Sequence, residues 1–216
     1  MHWEKTLVFN SLTFAVFFAL VLALHALPLG WTLRKTNLLI ASYIFYAAWN
    51  PPFVLLLWIS TVVDWYAALG LVKARGRAAR RAWMLLSVVV NLGMLAYFKY
   101  GTFALENFQA IAATFGIDYK PPGFDIVLPV GISFYTFATL SYTLDVYLRR
   151  AAPARNFLDY ALFVTFFPHL VAGPIMRPTE LVPQFAEPRR ASANQLRFGL
   201  ALITLARTDA MLRLPR

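Results

Sequence analysis

The sequence predicts an all-α polytopic membrane protein of about six to seven transmembrane or re-entrant helices. Three observations predict it. Sixty per cent of the 216 residues are apolar and only 14% are charged, whereas a soluble domain carries about a quarter charged residues to cover its surface. The mean hydropathy is +0.59. The basic residues that give the net charge of +10 sit in short clusters separated by long uncharged runs: Arg34 and Lys35, then Lys73, Arg75, Arg77, Arg80 and Arg81, then Arg149, Arg150 and Arg155. That spacing follows the positive-inside bias of cytoplasmic loops. A nucleic-acid surface would gather its cations on one polar face, so no nucleic-acid partner is expected.

Each element follows from a bilayer core about 30 Å thick, which needs about 20 apolar helical residues. Val8–Leu29 meets this length. It lacks a clean small-x-small cleavage site and is followed at once by further spans, so it reads as a retained first helix rather than a secretion signal. Leu38–Trp49 is short and stops at Asn50-Pro51-Pro52; it is tilted, re-entrant or extended by its flanks. Phe53–Val72 is a full span, and the basic loop Lys73–Arg81 separates it from the span Ala82–Phe98. Lys99–Asp125 is mixed, with a mildly amphipathic stretch at Phe103–Phe115 and a turn signal at Tyr119–Gly123, and reads as a surface helix plus loop. Ile126–Leu148 is a span. Phe157–Met176 is apolar but interrupted by prolines, Arg177–Ser192 is polar, and a last apolar piece begins near Leu196. With the basic loops inside, alternation closes: the N-terminus is periplasmic, residues 30–36, 73–81 and 149–155 are cytoplasmic, and Asn50 and 99–125 face out.

Polar residues at membrane depth are costly and face protein or a hydrated cavity. Asp64 lies mid-span, with Ser60 and Thr61 one turn before it. Its carboxylate either orients packing against a neighbouring helix or belongs to a substrate or proton path. Ser87 and Asn91, four apart, read as interhelical hydrogen-bond glue. At 100° per residue, Tyr135, Thr136, Thr139, Tyr142 and Thr143 form one hydroxyl stripe about 120° wide, which either joins helices or lines a hydrated path. Asp145 is expected to pair with Arg149 at the cytoplasmic end. In the run from Phe166 to Ile175, Pro168 and Pro174 (beside Gly173) would each interrupt a helix. Non-helical backbone at that depth is tolerated only around an interior space. His169 sits within this element and reads as a structural hydrogen-bonding group, not as a base.

Cysteine is absent, which excludes disulfides and thiolate chemistry. His2, His25 and His169 form no HExxH pair, and there is no phosphate-binding glycine loop or GxSxG elbow. No metal site is expected.

Several blocks carry a resemblance in sequence order. They are Leu38-Leu-Ile-Ala-Ser-Tyr-Ile-Phe-Tyr-Ala-Ala-Trp49, Ser60-Thr-Val-Val-Asp-Trp65, Asn91-Leu-Gly-Met-Leu-Ala-Tyr-Phe-Lys-Tyr100, Leu128-Pro-Val-Gly-Ile-Ser-Phe-Tyr-Thr-Phe137 with its continuation Leu140–Tyr147, and Phe166-Phe-Pro-His-Leu-Val-Ala-Gly-Pro-Ile175. From about residue 7 to 203 the chain resembles the membrane-bound O-acyltransferase family, in its alginate O-acetylase-like branch. The resemblance implies the front half of a helical ring around a passage, in the bacterial inner membrane. There an acyl donor, acetyl-CoA or an acyl carrier, serves as substrate without a bound cofactor. It further implies an extracytoplasmic polysaccharide acceptor such as alginate, and periplasmic acetyltransferase partners. Asp64, the five hydroxyl residues and Pro168, His169, Gly173 and Pro174 become candidates for lining the passage or binding substrate. The family's catalytic histidine lies on a later helix, in a segment this sequence lacks, so no residue here is nominated as catalytic and the chain alone is expected to be inactive. Residues 1–203 follow the family and 204–216 depart from it, as a frameshift or premature stop would produce. A solute transporter or a non-catalytic membrane scaffold is the alternative.

Overall fold

The computed structural model describes residues 11–117, 126–170, 176–188, 192–195, 197–199 and 201–202. It divides into two compact units, Met1–Ala186 and Glu187–Arg216. The described residues hold helices and connecting segments, with no strand among them.

The larger unit begins with α1, Leu12–Ala26, capped by Ser11, whose hydroxyl accepts from the Phe14 N–H at 3.0 Å. The second helix, α2, runs from Trp31 to Ala47. The short apolar segment is therefore extended by its N-terminal flank to about 25 Å. This corrects the expected cytoplasmic loop at 30–36. Gly30 caps the helix, and Lys35 is buried inside the protein because a carboxylate on another helix meets it.

Helix α3, Phe53–Lys73, matches the expected span. Helix α4 does not match its expectation: it is one continuous helix of 38 residues, Arg77–Thr114. The basic loop shrinks to residues 74–76, and no boundary separates a span from a surface helix near residue 99. No proline interrupts this stretch, and the isolated glycines within it are tolerated. The helix stops where Gly116 adopts φ +75°. Gly116 N–H then bonds the Ala113 carbonyl and Ile117 N–H bonds that of Ala112, both at 3.0 Å. This is a Schellman cap, which favours glycine at the left-handed position. At 1.5 Å per residue α4 is about 57 Å long and exceeds the hydrocarbon core. The turn signal at 119–123 lies outside the described residues.

Helix α5, Ile132–Tyr147, is shorter than the expected span from Ile126. Residues 126–129 are non-helical, and Gly131 at φ +76° starts the helix. Tyr46 fastens this entry by donating to the Val130 carbonyl at 3.0 Å. Helix α6, Phe157–Thr165, is capped by Asn156, which accepts from the Asp159 N–H at 2.8 Å. The expected interruption falls at Phe166, after which α7 spans Phe167–Leu170. Pro168 is accommodated because a first helical turn leaves its N–H positions unpaired anyway. The polar stretch after residue 176 forms α8, Pro178–Ala186, with proline in its first position.

Helices α3, α4 and α5 pack together, α2 lies on α6, and α1 and α8 pack on α2 and α6 respectively. The core joins Tyr46, Leu57, Leu71, Ile132, Tyr135, Tyr142, Tyr160 and Phe163. Every residue of α6 from Asp159 to Thr165 is buried. By contrast α1 and α4 expose apolar side chains along their length, including Leu12, Val16, Leu20, Val89, Phe103 and Ile111. Helices α3 and α4 are long and apolar enough to cross a membrane, and α1 is a shorter apolar helix. In the smaller unit, Ser192 and Gln195 cap reciprocally: each side chain accepts the other's backbone N–H, at 3.2 and 2.9 Å. Residue 203 and the tail beyond it lie outside the described residues.

Candidate functional site

Three helices bring their polar residues to one buried place. Helix α3 contributes Ser60 and Asp64, α4 contributes Ser87 and Asn91, and α5 contributes Thr136, Thr139 and Thr143; each is 1% exposed or less. Each pair on α3 and α4 is one turn apart, so its members share a face.

Asn91 is the hub. Its amide nitrogen donates to Asp64 Oδ2 at 2.8 Å and to the Ser87 carbonyl at 2.9 Å. Its amide oxygen accepts from Ser60 Oγ at 2.6 Å and from Thr139 Oγ1 at 3.1 Å. Both donors and both acceptor positions are filled, the full capacity of an asparagine. The hydroxyls of Ser87, Thr139 and Thr143 also lie close enough to Asp64 to interact with it. Asp64 Oδ1, Ser87 Oγ, Thr136 Oγ1 and Thr143 Oγ1 make no hydrogen bond of ordinary geometry. No histidine stands beside this carboxylate among the described residues. The cluster therefore offers hydroxyls and one carboxylate without a nucleophile–base pair.

The hydroxyl stripe of α5 faces inward over its whole length, while Phe134, Phe137 and Leu144 on the opposite side are exposed. It does not serve one place, however. Thr139 and Thr143 meet Asp64 and Asn91. Tyr135 turns toward Tyr46, with which its hydroxyl interacts, and lines a small cavity with Ala138, His169 and Met176. Tyr142 accepts the Ala154 N–H at 3.0 Å and stacks near Tyr160, ring centroids 4.4 Å apart, so it pins the connector after α5. A stripe 120° wide is broad enough to meet several neighbours. Pro168 is exposed and does not line that small cavity, and Gly173 and Pro174 lie outside the described residues. The ion pair expected between Asp145 and Arg149 is not formed; Asp145 instead accepts the backbone N–H groups of Arg150 and Ala151 through its carbonyl.

Sequence reasoning missed the ion pair that does form. Lys35 Nζ on α2 meets Asp159 Oδ1 on α6, both side chains nearly fully buried. Asn156 Nδ2 donates to the second oxygen at 2.9 Å. The available signal was Asn156 three residues before Asp159, a helix-start pattern that places the acid in the first buried turn. Arg80 was also misread as a loop residue. It donates to the Leu71 carbonyl at 2.8 Å and to the Tyr147 carbonyl at 2.6 Å, tying together the C-terminal ends of α3 and α5.

Two clefts lie at opposite ends of α3, about 30 Å apart. One, of about 50 Å³, is lined by Tyr46, Trp49, Asn50, Phe53, Val127 and Leu128. The other, of about 430 Å³, is lined by Arg77, Arg80, Arg81, Tyr147, Leu148 and Arg149. The buried polar cluster lies between them. The described residues hold no group of three or more side chains able to bind a metal ion.

Comparison with known proteins gives a consistent set of relatives. The chain is 44% identical over 183 residues to a protein of Pseudomonas aeruginosa named probable alginate O-acetylase AlgI, covering 83% of this chain and 34% of that one. It is 42% identical over 183 residues to the Azotobacter vinelandii protein of the same name, covering 83% and 36%. It is 33% identical over 192 residues to the peptidoglycan O-acetyltransferase of Helicobacter pylori, covering 78% and 36%. The chain thus spans about a third of the length of these relatives. No protein-family model and no solved structure matches it.

Proposed function

Because the chain belongs to the alginate O-acetylase-like branch of the membrane-bound O-acyltransferases, matching its N-terminal portion, we propose that it builds the wall of a passage for acetyl transfer across the bacterial inner membrane. The donor is acetyl-CoA or an acyl carrier on the cytoplasmic side, and the acceptor is an extracytoplasmic polysaccharide served through periplasmic acetyltransferases. The observation that carries this reading is the likeness to proteins named for O-acetyl transfer onto two different glycan polymers. What they share is the acetyl group, which makes the acyl passage the common element.

The geometry supports it. A polar cluster is buried midway along α3, and a cleft opens at each end of that helix. In the proposed arrangement six to seven helices span or re-enter the bilayer, with the N-terminus periplasmic. Transfer requires an acceptor hydroxyl to lose its proton to a base as its oxygen attacks the thioester carbonyl, and the thiolate to leave. No described residue is placed as that base. Asp64, Thr139 and Thr143 position and line; they do not carry the proton transfer.

Deleting the gene is expected to lower the O-acetyl content of the cell-surface polysaccharide, measured by ester-specific hydroxamate assay; unchanged content would sink the function. Asp64→Asn keeps an acceptor for Asn91, so it is expected to preserve protein abundance in membranes. If Asp64 lines the passage, this substitution lowers O-acetylation severalfold at equal abundance. Full O-acetylation would remove Asp64 from the passage while leaving the family reading intact.

A further inference from the structure

The larger cleft is a convergence of cations without an anion. Arg77, Arg80, Arg81 and Arg149 line its roughly 430 Å³ together with Tyr147 and Leu148. Arg80 donates to the Leu71 and Tyr147 carbonyls and lies over the Tyr147 ring at 5.6 Å. It builds the floor. Arg77, Arg81 and Arg149 are exposed, and no carboxylate pairs with them among the described residues, where Lys35–Asp159 is the single ion pair.

Arg149 is held at φ +59°. A non-glycine residue in the left-handed region is disfavoured, and here it presents a guanidinium to the cleft where glycine would end the helix more easily. Gly76 caps α4 without a side-chain hydrogen bond, and the first turn of the helix holds no acidic residue. Three guanidiniums without a carboxylate partner in one open cleft suit a phosphoryl group, which guanidiniums bind through paired N–H donors.

The source of that phosphoryl group follows from α4. Arg77 and Arg81 are one turn apart, and Leu85 and Val89, one and two turns further on along the same i+4 ridge that winds round the helix, are 58% and 66% exposed. The ridge changes from cationic to apolar at one turn, as a headgroup changes to an acyl chain. A soluble phosphate ester would leave the apolar half unused. Leu148, at the rim of the cleft, is exposed too. The positive-inside bias assigns this end to the cytoplasmic leaflet, where anionic lipids concentrate.

We propose that Arg77, Arg81 and Arg149 form a binding site for the phosphate of one anionic phospholipid, whose acyl chain lies along Leu85 and Val89 of α4. The cleft is the one that opens at the C-terminal end of α3, but the lipid phosphate needs no acyl transfer to bind there.

The test uses the purified full chain in detergent, titrated with phosphatidylglycerol or phosphatidylcholine and read by native mass spectrometry. Phosphatidylglycerol is expected to be retained in preference to phosphatidylcholine. Retention should fall roughly fivefold per arginine removed, hence about 25-fold in Arg77→Gln/Arg81→Gln. Lys73→Gln, outside the cleft, should retain the lipid as the unaltered chain does. Arg149→Gly removes a charge while relieving the left-handed backbone, so it stays folded and should also weaken retention. Leu85→Ser should weaken it without touching the phosphate contacts. Equal retention of the two lipids, unaltered retention in Arg149→Gly, or displacement of the lipid by millimolar inorganic phosphate at constant ionic strength would overturn the proposal. The last outcome would assign the cleft to a soluble phosphate.

Discussion

Lys35 shows how far a single side chain can depart from its local context. It follows Arg34 in a basic pair flanking an apolar segment, which reads as a cytoplasmic anchor, yet it is buried against Asp159, 124 residues away. Two buried charges are tolerable together and costly apart. Lys35→Met alone is expected to lower stability by about 3–5 kcal/mol, because it leaves Asp159 buried and unpaired; Lys35→Met/Asp159→Leu should recover most of that loss. Equilibrium unfolding of the detergent-solubilised protein across this double-mutant cycle measures it, and additive losses would show that the two groups do not depend on each other. Asn91 follows the same logic without charge. Its reading as interhelical glue from Ser87 and Asn91 alone was sound in kind, but its four partners, on three helices, could not be read from a spacing of four.

Among the elements, helix contacts are set by small residues as well as by polar ones. Gly70, in the last turn of α3, faces the indole of Trp83 on α4 so closely that a Cβ there would overlap its ring. Gly70→Leu is therefore expected to cost about 1–3 kcal/mol by overpacking, and Trp83→Ala in the same chain should recover part of it. Unfolding midpoints of the two single variants and the pair decide this; strict additivity would mean the helices do not meet there. Element ends were legible only in part, even where the chemistry is local: the break beside Pro168 was read from the proline, whereas the Schellman cap at Gly116 and the left-handed start at Gly131 were not, and the span was read from Ile126 instead. The continuity of α4 was not legible, because charged and apolar residues alternate along it as they would in a span followed by a loop. A helix that projects beyond the bilayer carries both patterns without a backbone break.

For the whole molecule, orientation is the property most open to test. The cleft rich in arginine and the aromatic cleft beside Asn50 sit at opposite ends of α3, so the proposed topology puts them on opposite sides of the membrane. The chain has no cysteine, which makes single-cysteine labelling clean. Pro51→Cys is expected to react with an impermeant maleimide in intact spheroplasts, and Arg75→Cys only after permeabilisation. The reverse pattern would invert the topology and move the phospholipid site to the other leaflet. The sequence by itself determined the solvent, the helical class, the family and the inward face of the α5 hydroxyls. These follow from composition, periodicity and ordered motifs, all of which act over a few turns of chain. Only the tertiary structure decided which hydroxyl meets Asp64, which one pins the connector at Ala154, and that a lysine beside a basic loop is a core residue. Those outcomes depend on where distant helices cross, and a burial preference specifies that a face turns inward without specifying the partner it meets.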